Sequence, residues 1–369
     1  MYIALVAGTR PNFIKLSPLY RELKGKFPVR IIHTGQHYDN NLSRIFFEEL
    51  DIPEPHFYLG VGSGPHGEQT GKIMIALEKL FLKEKPSLVV VFGDVNSTVA
   101  SALVATKLHI PLAHVEAGLR SYDRTMPEEV NRVVTDALSD FLFTPSRDAD
   151  ENLKKEGIPE EKIFFVGNIM IDTLVKYLPL AKKRKIHERL KLEKHSYILL
   201  TLHRPSNVDR KEKLGELLEV IEYIMEYRKV VFPIHPRTWK NLKKFNLFSS
   251  FPWLFGNERF IPLEPVGYLD FLALEMYADA VLTDSGGVQE ETTYLGVPCF
   301  TIRKNTERPV TVKMGTNTLC GDEKEKIIRH LERFFKGYRK KGKIPPLWDG
   351  KTSKRIVEIL TRQEVLKHD

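Results

Sequence analysis

The chain has 369 residues, 42% of them hydrophobic and 28% charged, and a formal net charge of +8. That length suits two domains with a core each, and the balance is that of a globular protein rather than a disordered one. Two cysteines, Cys299 and Cys320, are too few for a disulfide framework or a thiolate metal cage, and no apolar run is long enough to span a bilayer.

The first residues, Met1-Tyr-Ile-Ala-Leu-Val-Ala, run straight into a strand pattern without the basic start and cleavage site of a signal peptide. A cytoplasmic location without membrane attachment is therefore expected. Strand patterns follow at residues 2–7, 30–34, 88–92, 112–115, 141–144 and 163–166, separated by amphipathic helical segments such as 11–23, 97–108 and 127–138. Pro11 suits a first helical turn, where a missing N–H costs nothing. After a Lys-rich stretch at 182–194, a second series of strands occupies 197–202, 230–234, 260–263, 280–283 and 298–302. Each run is nearly all apolar, as parallel strands covered on both faces must be. Alternation of this kind predicts an α/β chain of two Rossmann-like parallel-sheet lobes. The boundary is expected near Gly167-Asn168, giving lobes of 1–168 and 169–349; the last helix, within 350–369, can close back on either. The basic run at 329–343 reads as a solvated helix face and tail, so no nucleic-acid partner is expected.

In open parallel sheets ligands sit beyond the carboxyl ends of the strands, and the unusual polar residues of this chain fall there. Asp284-Ser285-Gly286-Gly287 leads from a strand into a helix, a phosphate cradle of backbone N–H groups with Glu291 one turn on to accept from ribose hydroxyls. Gly8-Thr9-Arg10-Pro11 follows the first strand, where Arg10 and Lys15 can face one anion. Asp94, Glu116 and Glu128-Glu129 arrive from three successive loops; buried together they would repel, and one would keep its proton. Such a mixture suits general acid–base work, whereas singly Asp94 reads as a helix N-cap and Glu128 as a favourable charge in a first turn. His203 and His235 also end strands. His33 and His37 bracket Gly35 in a loop without a carboxylate, so no metal site is expected.

The ordered motifs GTRPNFIKLSPL, TGQHYDNNL, VFGDVNST, HVEAGLRS, MPEEVNR, VGNIMIDTL, TLHRPSNVD, IHPRT, DSGGVQEET and TERP span essentially the whole chain. In them the chain resembles the non-hydrolysing UDP-N-acetylglucosamine 2-epimerases. The resemblance implies two lobes facing a central cleft, as in GT-B glycosyltransferases. It implies interconversion of UDP-GlcNAc and UDP-ManNAc through elimination of UDP, without a cofactor, in a homodimer. It casts Asp94, Glu116 and Glu128 as acid/base groups with His203 at the phosphate side. Arg10, Lys15, Ser285, Gly286, Gly287 and Arg308 would hold the diphosphate and sugar end, Glu291 the ribose and Phe271 the uridine end. Gln36, His37, Gln69, Arg204 and His235 match a surface where some relatives bind a second UDP-GlcNAc as activator. Val266 and Glu68 depart from residues seen in relatives near the uracil and at that surface. A glycosyltransferase of the same two-lobed class, a hydrolysing epimerase and a non-catalytic sugar-nucleotide sensor are the competing readings. The first and last have less use for three acids together.

Overall fold

The apolar runs become strands packed between helices. The computed structural model describes residues 2–36 and 47–363. The strands are β1 (Ile3–Ala7), β2 (Val29–His33), β3 (Phe57–Tyr58), β4 (Leu88–Phe92), β5 (Leu112–Val115), β6 (Phe141–Thr144) and β7 (Ile163–Phe165). A second set is β8 (Tyr197–Thr201), β9 (Lys229–Pro233), β10 (Phe260–Leu263), β11 (Ala280–Thr283), β12 (Cys299–Thr301) and β13 (Asn317–Leu319). The first set forms one sheet in the order β3-β2-β1-β4-β5-β6-β7, the second another in the order β10-β9-β8-β11-β12-β13. Every pairing is parallel. Each sheet is therefore Rossmann-like, with its strand order reversing once, between β1 and β4 and again between β8 and β11. The short edge strands β3 and β13 were not apparent as apolar runs.

One compact unit takes its described residues from Met1–Lys176 and Pro346–Asp369, the other from Tyr177–Pro345. The division thus falls inside the helix Ile169–Arg184, later than Gly167-Asn168, because the first turns of that helix are fastened to the first sheet's layer. Thr173 Oγ1 donates to Ile14 O at 2.6 Å, and Asp172 accepts from the backbone N–H groups of Thr352 (3.0 Å) and Ser353 (2.7 Å). The last helix, Thr352–Arg362, is capped there, and Trp348 Nε1 donates to Pro145 O at 2.9 Å.

In the first unit, buried Ile73, Leu77, Phe81, Val89, Val91 and Ala100 share one core cluster. In the second, Leu217, Ile221, Ile224, Val230, Phe232 and Phe334 do so. Each fully buried large side chain contributes about 1.5–3 kcal/mol, which fixes the strand ends that carry the polar loops. Among the described residues no helix is long and apolar enough to cross a membrane. Arg329, Arg333, Lys336, Arg339, Lys341 and Lys343 are exposed, as expected of a solvated helix face and tail. Arg339 Nη2 reaches Asp279 at 3.0 Å, and Lys340 Nζ donates to the carbonyls of Val312 (2.6 Å) and Asn317, so the run's later part is strapped to the edge of the second sheet.

Candidate active site

At the reversal point of the first sheet, β1 leads through Gly8-Thr9 into the helix Arg10–Leu23, and β4 leads through Gly93-Asp94 into the helix Asn96–Lys107. Asn12 stitches the two together: its Oδ1 accepts from Thr9 N (3.2 Å) and Thr9 Oγ1 (2.9 Å), and its Nδ2 donates to Phe92 O at 2.9 Å. Arg10 is half-buried at the start of its helix. One turn on, buried Lys15 forms an ion pair with buried Glu116, which follows β5. Gly93 has φ +64°, and a Cβ there would lie 2.9 Å from Lys15 Nζ and 3.4 Å from Glu116 Oε2. The positive φ favours glycine, and its missing side chain leaves room for the Lys15 ammonium. Glu116 itself has φ +76°, a conformation uncommon outside glycine and frequent where a side chain is aimed for function.

Asp94 does not cap the next helix, whose N-cap position is Val95. Its carboxylate instead pairs with Arg132 Nη2, from the helix Pro127–Leu138, and Asn131 Nδ2 donates to its backbone O at 2.9 Å. Arg132 is buried, and its Nη1 donates to buried Glu129 at 2.6 Å. Glu129 is not a second free acid: it also accepts from Ser121 N (2.9 Å), Ser121 Oγ (2.9 Å) and Tyr122 N (2.8 Å), fixing the loop after Arg120. Glu128 is half-buried in the first turn, on the helix face that carries Asn131 and Arg132. The expected cluster of bare acids is thus interleaved with cations, Lys15 against Glu116 and Arg132 against Asp94. Beneath it, His114 Nδ1 lies 2.6 Å from Asp136 and its Nε2 2.8 Å from Gly93 O. Burial alone would raise the Asp136 carboxyl, but His114 and Arg120 bring it below the usual carboxylate range.

Gln36 and Gln69 are also drawn to the start of the helix Asn96–Lys107. Gln36 Oε1 accepts from Ser97 N (3.1 Å) and Ser97 Oγ (2.7 Å), and Gln69 Oε1 accepts from Asn96 Nδ2 at 2.9 Å. His37 lies outside the described residues.

In the second unit the reversal point lies between β8, followed by His203-Arg204, and β11, followed by Asp284-Ser285-Gly286-Gly287. Asp284 is fully buried and organises the turn. It accepts from the N–H groups of His203 (3.0 Å) and Arg204 (2.9 Å) and from Asn207 Nδ2 (3.1 Å), and its Oδ1 lies 2.9 Å from His203 Nδ1. Burial opposes its charge, yet the His203 ring and these hydrogen bonds bring it down to about 2. Ser285, Gly286 and Gly287 are half-buried at the start of the helix Gly286–Leu295, with Ser285 extended at the N-cap position. A Cβ on Gly286 would fall 2.5 Å from Arg308 Nη1, so the turn rests against that guanidinium. Arg308, buried, is held by Glu307 and by Glu290 at 2.9 Å. Arg204 Nε donates to Asp284 O at 3.0 Å. His235 is exposed, its ring 5.6 Å from that of His203, and its Nδ1 accepts from Arg237 N at 3.1 Å to cap a helix.

Glu291 accepts from Tyr268 Oη at 3.0 Å, and burial pushes it up to about 7, against the Tyr268 hydrogen bond and with the help of Glu290. Phe271 is half-buried on the helix Tyr268–Met276, and Val266 is half-buried just before it. On the same helix Glu275 is completely buried with neither carboxyl oxygen hydrogen-bonded, and burial, then Glu291, raises it well above the ordinary carboxyl range. Among the described residues no group of three or more His, Cys, Asp or Glu is placed to hold a metal ion.

Two parallel sheets, each gathering charged residues beyond the reversal of strand order, place the chain among the doubly wound α/β proteins, which bind their ligands there. The family model described as UDP-N-acetylglucosamine 2-epimerase matches residues 21–361. A UDP-N-acetylglucosamine 2-epimerase of Methanocaldococcus jannaschii is 52% identical over 98% of this chain and 99% of its own length. The crystal structure of the Methanocaldococcus jannaschii UDP-GlcNAc 2-epimerase in complex with UDP-GlcNAc and UDP superposes with a TM-score of 0.91, at 51% identity over 98% of this chain and 100% of that one. A UDP-2,3-diacetamido-2,3-dideoxy-D-glucuronate 2-epimerase of Pseudomonas aeruginosa is 39% identical over 98% of this chain and 100% of its own. The chain belongs to the UDP-N-acetylglucosamine 2-epimerase family and is an isomerase.

Proposed function

We propose that the chain interconverts UDP-GlcNAc and UDP-ManNAc. The C2 hydrogen of such a sugar is not acidic, so direct removal is slow. Elimination circumvents this: a carboxylate takes the C2 proton, the C1–O bond breaks, and its electrons leave with UDP, giving a bound 2-acetamidoglucal. UDP adds back after a proton is delivered to the other face of C2. Two proton-handling groups and a grip on the departing diphosphate are required. Asp94, Glu116 and Glu128 are the acid/base groups, and His203, oriented by Asp284, serves the phosphate side. Arg10, Arg308 and the Ser285–Gly287 turn receive the diphosphate and sugar end, with Lys15 shared between that charge and Glu116. Glu291 takes the ribose hydroxyls and Phe271 lies against the uridine.

The observation that carries this reading is the pairing of Asp94 and Glu116 with buried cations at adjacent strand ends, which favours carboxylates ready to accept protons. The reading extends to a cytoplasmic homodimer that supplies ManNAc-type sugars for surface polysaccharide or glycan synthesis. It also includes a second UDP-GlcNAc as activator at Gln36, His37, Gln69, Arg204 and His235; a hyperbolic rate response to substrate, unchanged by added tracer activator, would remove that part. The main test is incubation with UDP-GlcNAc in D2O, followed by NMR, with the diacetamido-glucuronate analogue assayed alongside. UDP-ManNAc carrying deuterium at C2 is expected. Free ManNAc would instead indicate hydrolysis, and no exchange with either sugar a transferase or a sensor.

A further inference from the structure

Asp94 is backed by a buried ion-paired chain. Its side chain is 27% exposed, yet the guanidinium against it is only 3% exposed and is itself anchored to Glu129, 2% exposed. Two buried groups therefore stand behind one reachable carboxylate. The same helix, Pro127–Leu138, touches the Asp94 loop three times along one face: Asn131 on the Asp94 carbonyl, Arg132 on its carboxylate, and Asp136 through His114 to the carbonyl of Gly93. Glu128 projects from the first turn of that helix.

We infer that Arg132 is a positioning residue for the epimerisation, holding Asp94 ionised and aimed while Glu129 sets how much of the guanidinium's charge Asp94 receives. This rests on the reading of Asp94 as a proton-handling group. Other titratable groups near the loop include Lys15 and Glu116, beside Gly93, His66, bonded to Asn96, and His114 below. Arg132 pairs directly with the Asp94 carboxylate. An arginine suits the task because its planar fork serves two carboxylates at once, which a lysine ammonium does not reproduce. The arrangement gives the two neighbours opposite effects. Removing the Arg132 charge makes Asp94 easier to protonate, and neutralising Glu129 makes it harder.

The test compares full-length wild type with R132M, E129Q and the double variant R132M/E129Q. Three quantities are read: UDP affinity, kcat and KM for UDP-GlcNAc, and the pH profile of kcat. Wild-type exchange at C2 in D2O is the control; if it is absent, the reading of the function fails before this inference is reached. With exchange present, R132M is expected to lose about 10²-fold in kcat while KM and UDP affinity stay within about threefold. Its acid limb should move to higher pH by about one unit or more. E129Q should lose less in kcat and move the limb the other way. R132M leaves Glu129 buried without its cation and is the variant at risk of misfolding. The double variant removes both charges, keeps the interior neutral, and should show the R132M kcat loss and the upward limb. A double variant that turns over like wild type, or limbs that move in the same direction in R132M and E129Q, would overturn the inference. So would loss of UDP binding in step with kcat, the mark of general structural damage.

Discussion

The two reversal points of strand order solve opposite electrostatic problems. In the first unit each buried acid of the site has a cation against it: Lys15 meets Glu116, Arg132 is divided between Asp94 and Glu129, and Arg120 between Asp136 and Glu156. In the second unit the cations around the helix Gly286–Leu295 are unevenly spread: Glu307 meets Arg303, Arg204 and Arg308, Glu290 meets Arg308, and no cation contributes to the raised Glu291 and Glu275. Acids kept charged are equipped to take protons. Acids left buried without a cation tend to hold theirs, and leave the binding of an anion to backbone N–H groups and guanidinium groups.

The comparison is broken most severely by D94N. It should lower kcat by about 10³-fold or more while UDP affinity is unchanged; C2 exchange by NMR and UDP calorimetry check it, and normal turnover would remove Asp94 from the chemistry. G286A comes next. The added Cβ would meet Arg308, whose guanidinium is pinned by Glu290 and Glu307 and has little room to retreat. UDP affinity should fall by about tenfold while the residual C2 exchange in saturating substrate stays near wild type.

How much of this was legible beforehand depends on distance along the chain. The apolar strands β1, β4, β5, β8 and β11 and the polar residues after them follow from local pattern, and the helix Pro127–Leu138 begins and ends where its amphipathic spacing predicts. The strands β3 and β13 escaped notice because a two- or three-residue edge strand has no period to detect. The partners of the site residues were hidden for a different reason. Asp284 lies 81 residues from His203, and Arg132 lies 38 from Asp94, so only the sheet topology brings them together. Glu129 and Glu128 looked equivalent in sequence; a one-residue step around the helix turns the first inward to Ser121 and Arg132. Arg308 appeared as a ligand for phosphate, but nothing local announced that Glu290, on a separate helix, would join its neighbour Glu307 in holding it.

The second unit's buried acids give two smaller effects that sharpen the contrast. Glu291 is raised to about 7, and in the proposed role of ribose acceptor it would serve best as a carboxylate. UDP affinity should therefore fall as pH drops from 8 to 6, by less than about tenfold per unit, and E291Q should bind weakly with a flat profile. Glu275 has a folded-state pKa raised above its unfolded value, so its proton favours the folded state at low pH and that advantage is lost as pH rises from about 4.3, the unfolded value, through the folded one. E275Q, neutral throughout, should show a Tm advantage of a few degrees over wild type that grows with pH; an advantage that shrinks with pH would mean Glu275 is charged and paired when folded.

The central claim is that C2 loses its proton because the C1–O bond breaks at the same carbon pair. UDP-GlcNAc labelled with 18O in the bridge between C1 and the β-phosphorus tests this directly. The account predicts that the label spreads into the non-bridging β-phosphate oxygens in wild type, as free UDP turns in the site before adding back. Deuterium entering C2 while the 18O stays in the bridge would show that the bond never breaks, and would contradict it.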